Sequence, residues 1–458
     1  MIRLLLAVIA LLLALCVGPS AHAQPEVEEL IDEIEGMLGG LGATVDPAAL
    51  IARELPGVES AAGLTATAPI VGQLITRADA AAHIRGLFDT QLPPARRAPM
   101  QIAWHAMGLL PRDQTLEEAV LSLYGSQVGG FYDPARKALF LLDDMPSLVQ
   151  LPIVRHELVH ALQDQRYDLA RWLAGAEKDE DAAAALQAVL EGHASDVMSR
   201  ATLGQLGLAD GLEGLDPGLT AELGELFGGE VDTGAITDLL DVGIDGAALD
   251  AFIPRATPAA LRAQLLFPYV VGTRFVSEYR AAHPEDPSCA ALYARPPRTT
   301  AEVLAPARWE SGTTAPDIDP PGTLMPGWQL TYQSPLGRLL THILLTNQSD
   351  PFAGDPDGAR WPSPNRDNNV ALTSGWSGDH VAVYQRNPAH PGIGVPDQAI
   401  VVWTSRWSHP EEAAEIARVL ATRVPAAEIA VRGARLDVVF SAPAENSPDA
   451  LRAVQQWK

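Results

Sequence analysis

His156-Glu157-Leu158-Val159-His160 is the stretch of this 458-residue chain whose residue types and spacing do the most recognisable chemistry. Residues four apart on a helix share a face, one turn apart. Two imidazoles placed so can both reach one tetrahedral Zn²⁺ at about 2.0–2.1 Å. Glu157 projects roughly 100° further round, so it addresses water at the metal and does not ligate it. A catalytic zinc also needs a third protein ligand and an open position. Glu191 supplies the third ligand in this reading. It lies 31 residues after His160, on a separate predicted helix. Gly192 beside it is expected to let that helix approach the first closely. His193 is the rival ligand. Side chains two apart diverge by about 200°, so it and Glu191 do not readily serve one ion. His193 is therefore read as a surface residue near the site. Asp164 and Asp196 are candidates to accept the second N–H of a ligating imidazole. Hydrolysis further needs a donor for a developing oxyanion. Tyr269, Tyr132 and His193 are candidates, and Tyr269 is the choice.

The elements that must position these groups are legible in outline. Apolar spacing predicts a helix over about Leu148–Asp164, with Pro152 in its first turns. A second spans about Asp181–Ser199, behind the acidic cluster Asp179-Glu180-Asp181, which suits a helix's positive end. Before them, Phe131-Tyr132 and Ala138–Leu142 flank Asp133-Pro134 and read as a hairpin. The strand ending at Leu142 could pair with an extended peptide. A long helix over Pro258–Tyr279 carries Tyr269 and is expected to kink at Pro268. Upstream, helices are predicted over Glu26–Leu38 and about Arg77–Phe88, and two more between Met100 and Tyr124, broken at Pro111. Asp46-Pro47 reads as an N-cap and a first helical residue. Thr220–Leu249 is irregular, and 305–327 and 349–369 read as linkers. From Gly375 four strand-like segments and two helices alternate, which reads as a small α+β module.

His156-Glu157-Leu158-Val159-His160-Ala161-Leu162-Gln163-Asp164-Gln165, followed by Leu190-Glu191-Gly192-His193-Ala194, resembles a family of extracytoplasmic bacterial HExxH metallopeptidase-like proteins of the gluzincin type. That family pairs an H-E-L-x-H-A-L-Q-D-Q helix with an L-x-E-G-x-A helix. The likeness extends to Gln127-Val128-Gly129-Gly130-Phe131-Tyr132-Asp133-Pro134 and to Pro268-Tyr269-Val270-Val271-Gly272-Thr273-Arg274-Phe275. It covers about Gly72 to Pro306. The resemblance implies one zinc ion held by His156, His160 and Glu191, with Glu157 as general base. His193 stands where the family carries an acidic residue. Thr299–Pro306 departs from its usual Ser-Thr-Glu-Gln run and from the His that precedes the final Pro.

The whole chain sets the remaining bounds. Arg3, an apolar run of 14 residues from Leu4 to Val17, and Ala21-His22-Ala23 form the order of a secretory signal peptide, cleaved after Ala23. The run is shorter than the roughly 20 residues that span a bilayer. The exported chain, secreted or periplasmic, would then keep Cys289 as its one cysteine, read as an inert buried thiol, and would not stay inserted in a membrane. A net charge of −25 repels nucleic acid and anionic membrane, and is read as solubility. The expected architecture is α+β. A signal peptide (1–23) precedes a helical region (24–99), which is a prosegment or an accessory layer. A mainly helical zincin-like metallopeptidase core (100–348), with a short hairpin before the active-site helix, follows, and then the C-terminal α+β module (370–458). The expected function is hydrolysis of peptide or protein substrates by zinc-activated water. The alternative is a zinc-binding pseudoenzyme that holds peptides or partners in the cell envelope. A third reading, a non-enzymatic envelope scaffold, would make the C-terminal module the interacting part.

Overall fold

The computed structural model describes residues 46–125, 129–145, 147–176, 178–205, 257–313, 315–316, 318–346, 371–386, 399–443 and 447–457. The expected signal peptide, the helix over 26–38, the irregular 220–249 stretch and the linker at 349–369 lie outside these residues. Among the described residues, no helix is long and apolar enough to cross a membrane.

The chain is α+β, with two sheets set among helices. Helix α1 (Pro47–Ala62) begins as its sequence dictates: the Asp46 side chain accepts from Ala48 N at 3.0 Å and Pro47 occupies the first turn. Strand β1 (Val71–Ile75) follows, then α2 (Arg77–Gln91), α3 (Pro94–Met107) and α4 (Leu116–Gly125). The expected hairpin is present as β2 (Gly130–Asp133) and β3 (Ala138–Leu142). It is not alone, because β1 pairs with β3 in parallel and gives the order β1-β3-β2. β3 is thus the central strand, bonded on both sides. The expectation that the strand ending at Leu142 offers a peptide a free edge is corrected: the edges are β1 and β2.

The first layer of helices covers that sheet. Helix α5 (Ser147–Tyr167) buries Val154, Leu158, Val159 and Leu162 against Leu139 and Leu141 of β3 and Val58 and Ala62 of α1. Arg155 of α5 and Glu54 of α1 form a buried ion pair, Nε to Oε2 2.8 Å. The described part of the region before residue 99, from residue 46 on, is therefore built into the sheet and its covering helix. After α6 (Leu169–Leu173) comes α7 (Glu180–Gln205), which packs across α5. Helix α8 (Ala259–Phe267) runs into a π-helical turn, Pro268–Gly272, and then α9 (Thr273–Ala282). The expected kink at Pro268 takes this form: proline has no N–H to give, and the ladder shifts to the wider register.

Short helices α10 (Ala290–Ala294), α11 (Thr300–Leu304) and α12 (Pro306–Ser311) lead to β4 (Thr323–Met325) and β5 (Trp328–Ser334). The stretch 305–327 is thus not a bare linker, since it holds α12 and β4. Helix α13 (Gly337–Thr346), β6 (Trp376–Gln385), β7 (Ala399–Trp407), α14 (Pro410–Arg423), β8 (Glu428–Arg432), β9 (Arg435–Ser441) and α15 (Ser447–Val454) complete the chain. Strands β4 to β9 form one antiparallel sheet in the order β4-β5-β6-β7-β9-β8. Two of its strands, β4 and β5, and helix α13, which packs against β6, precede residue 349, so the module begins before the alternating pattern that starts near Gly375. Period-2 alternation sends Val383, Val401 and Trp403 to one face, where they join the helical core with Leu339 and Leu420. Ala382, Tyr384, Ile400 and Val402 face the other way and meet Val454 and Trp457. The sheet is covered on both faces, and one continuous apolar core runs from it into the helices.

Candidate metal centre

Helix α5 turns its apolar stripe to β3 and its opposite face to α7. His156 and His160 stand on that second face, rings edge to face with centroids 4.8 Å apart. Glu191 comes from the middle of α7. Its Oε2 lies 2.9 Å from His156 Nε2 and 3.4 Å from His160 Nε2, and the two Nε2 atoms are 3.1 Å apart. Two ligands of a tetrahedral ion at 2.0–2.1 Å stand about 3.3 Å from one another. The three separations bracket that value, and two imidazole nitrogens with one carboxylate oxygen are a donor set that zinc takes. The residues present fit the ion.

The tautomer of His160 follows from its neighbour. Gln163 Nε2 donates to the Leu190 carbonyl at 3.1 Å, which turns its Oε1 towards His160 Nδ1 at 2.8 Å. That oxygen only accepts, so Nδ1 carries a proton and it is Nε2 that faces Glu191. Gln163 therefore holds the place expected for Asp164 or Asp196, and both expectations are corrected. Asp164 Oδ2 accepts from the Tyr132 hydroxyl at 2.7 Å and from Lys137 Nζ at 2.6 Å, tying the hairpin to α5. Asp196 is engaged by Arg200, Ser277 and Arg280.

Burial sets the charges, and the neighbours decide their direction. Burial opposes ionisation of Glu191, but the two imidazoles overcome it and hold its carboxyl well below the usual range. Burial likewise opposes the His160 cation, yet Glu191 and Glu157 raise its pKa to about 9. Glu157 is pushed up, chiefly by burial and further by Glu191, against the lowering effect of both imidazoles. One Glu157 oxygen accepts the Tyr132 backbone N–H at 2.8 Å, an amide that faces away from β3. Glu157 is thus fixed by the free edge of β2.

Among the three candidate oxyanion donors, Tyr132 has its hydroxyl committed to Asp164. His193 is not at the surface as expected. It is 0% exposed, its Nδ1 lies 3.0 Å from the Tyr293 hydroxyl, and burial with Arg280 nearby lowers its pKa to about 3. One position after Gly192 on α7, it points into the core beside Tyr293, itself stacked on Tyr167 at 3.9 Å. Tyr269 is 43% exposed, and its ring centroid lies 6.0 Å from that of His156. The π-turn carries it there. Gly192 also acts differently from expectation. A Cβ on it would overlap the backbone of Gly272, and one on Gly272 would overlap Ala188, so the pair seats the π-turn on α7 and not α7 on α5. Cys289 is buried and its thiol is pushed up to about 12, as befits an inert thiol.

Fold and site together define an α+β chain in which two imidazoles and a carboxylate converge from two helices. A family model described as a domain of unknown function (DUF8575) matches residues 329–457, from within β5 to just past α15, and none of the converging residues falls inside it. No curated protein and no solved structure matches the chain.

Proposed function

We propose that this chain is an exported zinc metallopeptidase of the gluzincin type, zincin-like in its core, that hydrolyses peptide bonds in protein or peptide substrates. The observation that carries the reading is the convergence of His156 Nε2, His160 Nε2 and Glu191 Oε2 within 2.9–3.4 Å, with Glu157 held beside them by a backbone amide. In this reading His156, His160 and Glu191 hold one Zn²⁺, which supplies carbonyl polarisation and water activation when bound. Glu157 takes the proton of the attacking water and returns it to the leaving amine. Burial suits that task, because it raises the affinity of the carboxylate for the proton it must carry. The Tyr132 amide fixes one oxygen of Glu157 and leaves the other to move the proton. Tyr269 donates from the π-turn to the oxygen that gains charge.

Metal analysis of the purified chain, paired with casein or peptide turnover, tests the reading. Wild type and Glu157→Gln are both expected to hold about one zinc per chain, with turnover lower by about 10²–10⁴-fold in the variant. Tyr269→Phe is expected to lower kcat by about 10²–10³-fold with zinc content unchanged. Wild type without zinc would remove the proposal. Zinc retained with no turnover in either chain would replace it by a zinc-binding pseudoenzyme that holds peptides without cutting them.

A further inference from the structure

A second group of buried acids lies at the other end of α7, where the helical part meets the six-stranded sheet. Asp181, in the first turn of α7, is 2% exposed and lines a cavity of about 960 Å³. Its Oδ1 accepts from Thr300 N at 2.9 Å and from the Thr300 hydroxyl at 2.5 Å. Its Oδ2 is buried and has no hydrogen-bond partner. Gly337, at φ +76°, lies so close that a Cβ would overlap the Asp181 carboxyl, so the chain keeps that wall free of a side chain. Asp379 of β6 stands on the same wall. It accepts from Leu336 N and Gly337 N, both at 2.9 Å, and from Trp403 Nε1 at 2.7 Å. Among the described residues, neither carboxylate forms an ion pair: of the cations that line the same cavity, Arg96 is held by Glu180 at 2.7 Å, and Lys178 and Arg298 are exposed to solvent.

Two adjacent carboxylates taken out of water without a cation are costly. Burial, and then the charge of Asp379, pushes the Asp181 carboxyl up to about 8, and burial pushes Asp379 up to about 6. An organic cation suits this pair better than a metal ion. Among the described residues, the grouped donors that could cage a metal are His156, His160 and Glu191 alone. The cavity is of small-molecule size, and one unfilled acceptor at its wall suits a single N–H donor. Tyr332 and Trp376 add ring surface to the lining, and the exposed Gln333 of β5 is part of it.

We propose that this cavity binds an ammonium or guanidinium group, which donates to Asp181 Oδ2 under the combined charge of Asp181 and Asp379. The proposal does not depend on the metallopeptidase reading, because none of its residues belongs to the metal centre. Calorimetric titration of the purified chain tests it with four probes: agmatine, cadaverine, a blocked Ala-Ala-Arg-Ala-Ala peptide, and the same peptide with citrulline, the uncharged analogue of arginine. The cationic probes are expected to bind, and the citrulline peptide to bind about tenfold more weakly or worse. Asp181→Asn keeps an acceptor for Thr300 and removes the charge; it is expected to weaken the cationic probes about tenfold. Gln333→Trp crowds the cavity from an exposed lining position, leaving both acids in place, and is expected to block them, while Glu157→Gln leaves their binding as in wild type. Agmatine as tight as the arginine peptide assigns the site to free amines; a markedly tighter peptide assigns it to a polypeptide side chain. Equal binding of the citrulline peptide, no effect of Asp181→Asn and Gln333→Trp, or loss of binding in Glu157→Gln overturns the proposal, as does no heat from any probe.

Discussion

One helix, α7, carries two buried acids with opposite fates. Glu191 and Asp181 are ten residues apart, about 15 Å along the axis. Both lose water's solvation on burial. Glu191 meets two imidazoles from α5 and stays ionised well below the usual range. Asp181 meets a second carboxylate from β6 and rises to about 8. Desolvation is the largest influence on each, so it does not separate them; the partner brought by the neighbouring element does. An acid in the core is thus a site of pre-formed charge in one place and a site lacking a charge in the other.

The largest expected effect falls on the first of the two. Glu191→Ala removes the one carboxylate of the donor set, and is expected to weaken zinc binding by well over about 100-fold, beyond what a supporting residue costs. Competition with a calibrated chelator measures it. Asp181→Asn, measured the same way, should leave zinc affinity as in wild type, since sites this far apart act independently. A matching loss in both variants would mean that the ends of α7 are one system. A smaller effect sharpens the same contrast. Gln163→Leu frees the His160 ring and its tautomer, and is expected to cost about 10–100-fold in zinc affinity. With cobalt as the probe ion, its absorption spectrum should change too, because the ligand ring loses its fixed orientation. An unaltered spectrum with full affinity would show that packing alone orients the ring.

How much of this was legible depends on whether the information is local. His156 and His160 share a helix face by spacing alone, and the helices that carry them and Glu191 follow from apolar periodicity. Gln163 was also readable in principle, three residues past His160 and on the same face, but a carboxylate was the stronger expectation and drew attention to Asp164. The role of the Tyr132 amide carries no side-chain signal at all. β1 leaves little signal in the sequence because Val71–Ile75 is a half-exposed five-residue edge, and its parallel pairing with β3 joins segments far apart in the chain. β5 and α13 were passed over because the next strand of their sheet begins at Trp376, beyond a Pro-rich stretch that reads as a boundary. His193 was misplaced because helical position sets its direction, while the aromatic wall it meets, Tyr293, comes from 100 residues later. The Asp181–Asp379 pair is wholly non-local, with α7 and β6 brought together by the fold.

That pair makes the smallest of the expected differences, and it has a definite sign. A carboxyl whose folded pKa lies above its unfolded value contributes stability fully present below the unfolded value and lost as pH rises through the folded one. For Asp181 the window runs from the ordinary 3.8 up to about 8, and for Asp379 from 3.8 up to about 6. Ionising either acid, with no ion-paired cation to answer it among the described residues, therefore destabilises the seam between helices and sheet as pH rises towards 8. Asp181→Asn carries no charge there at any pH, so its thermal midpoint should hold flatter than that of wild type between about pH 5 and about pH 8. Glu191 predicts the reverse slope for its own contribution, being held low. Agmatine adds a discriminating arm: by answering the buried charge it should raise the wild-type midpoint at the upper end of the window more than at the lower, and move that of Asp181→Asn less. Parallel pH curves for the two chains would mean that Asp181 is already answered by a group from elsewhere in the protein, and the contrast along α7 would then be one of degree.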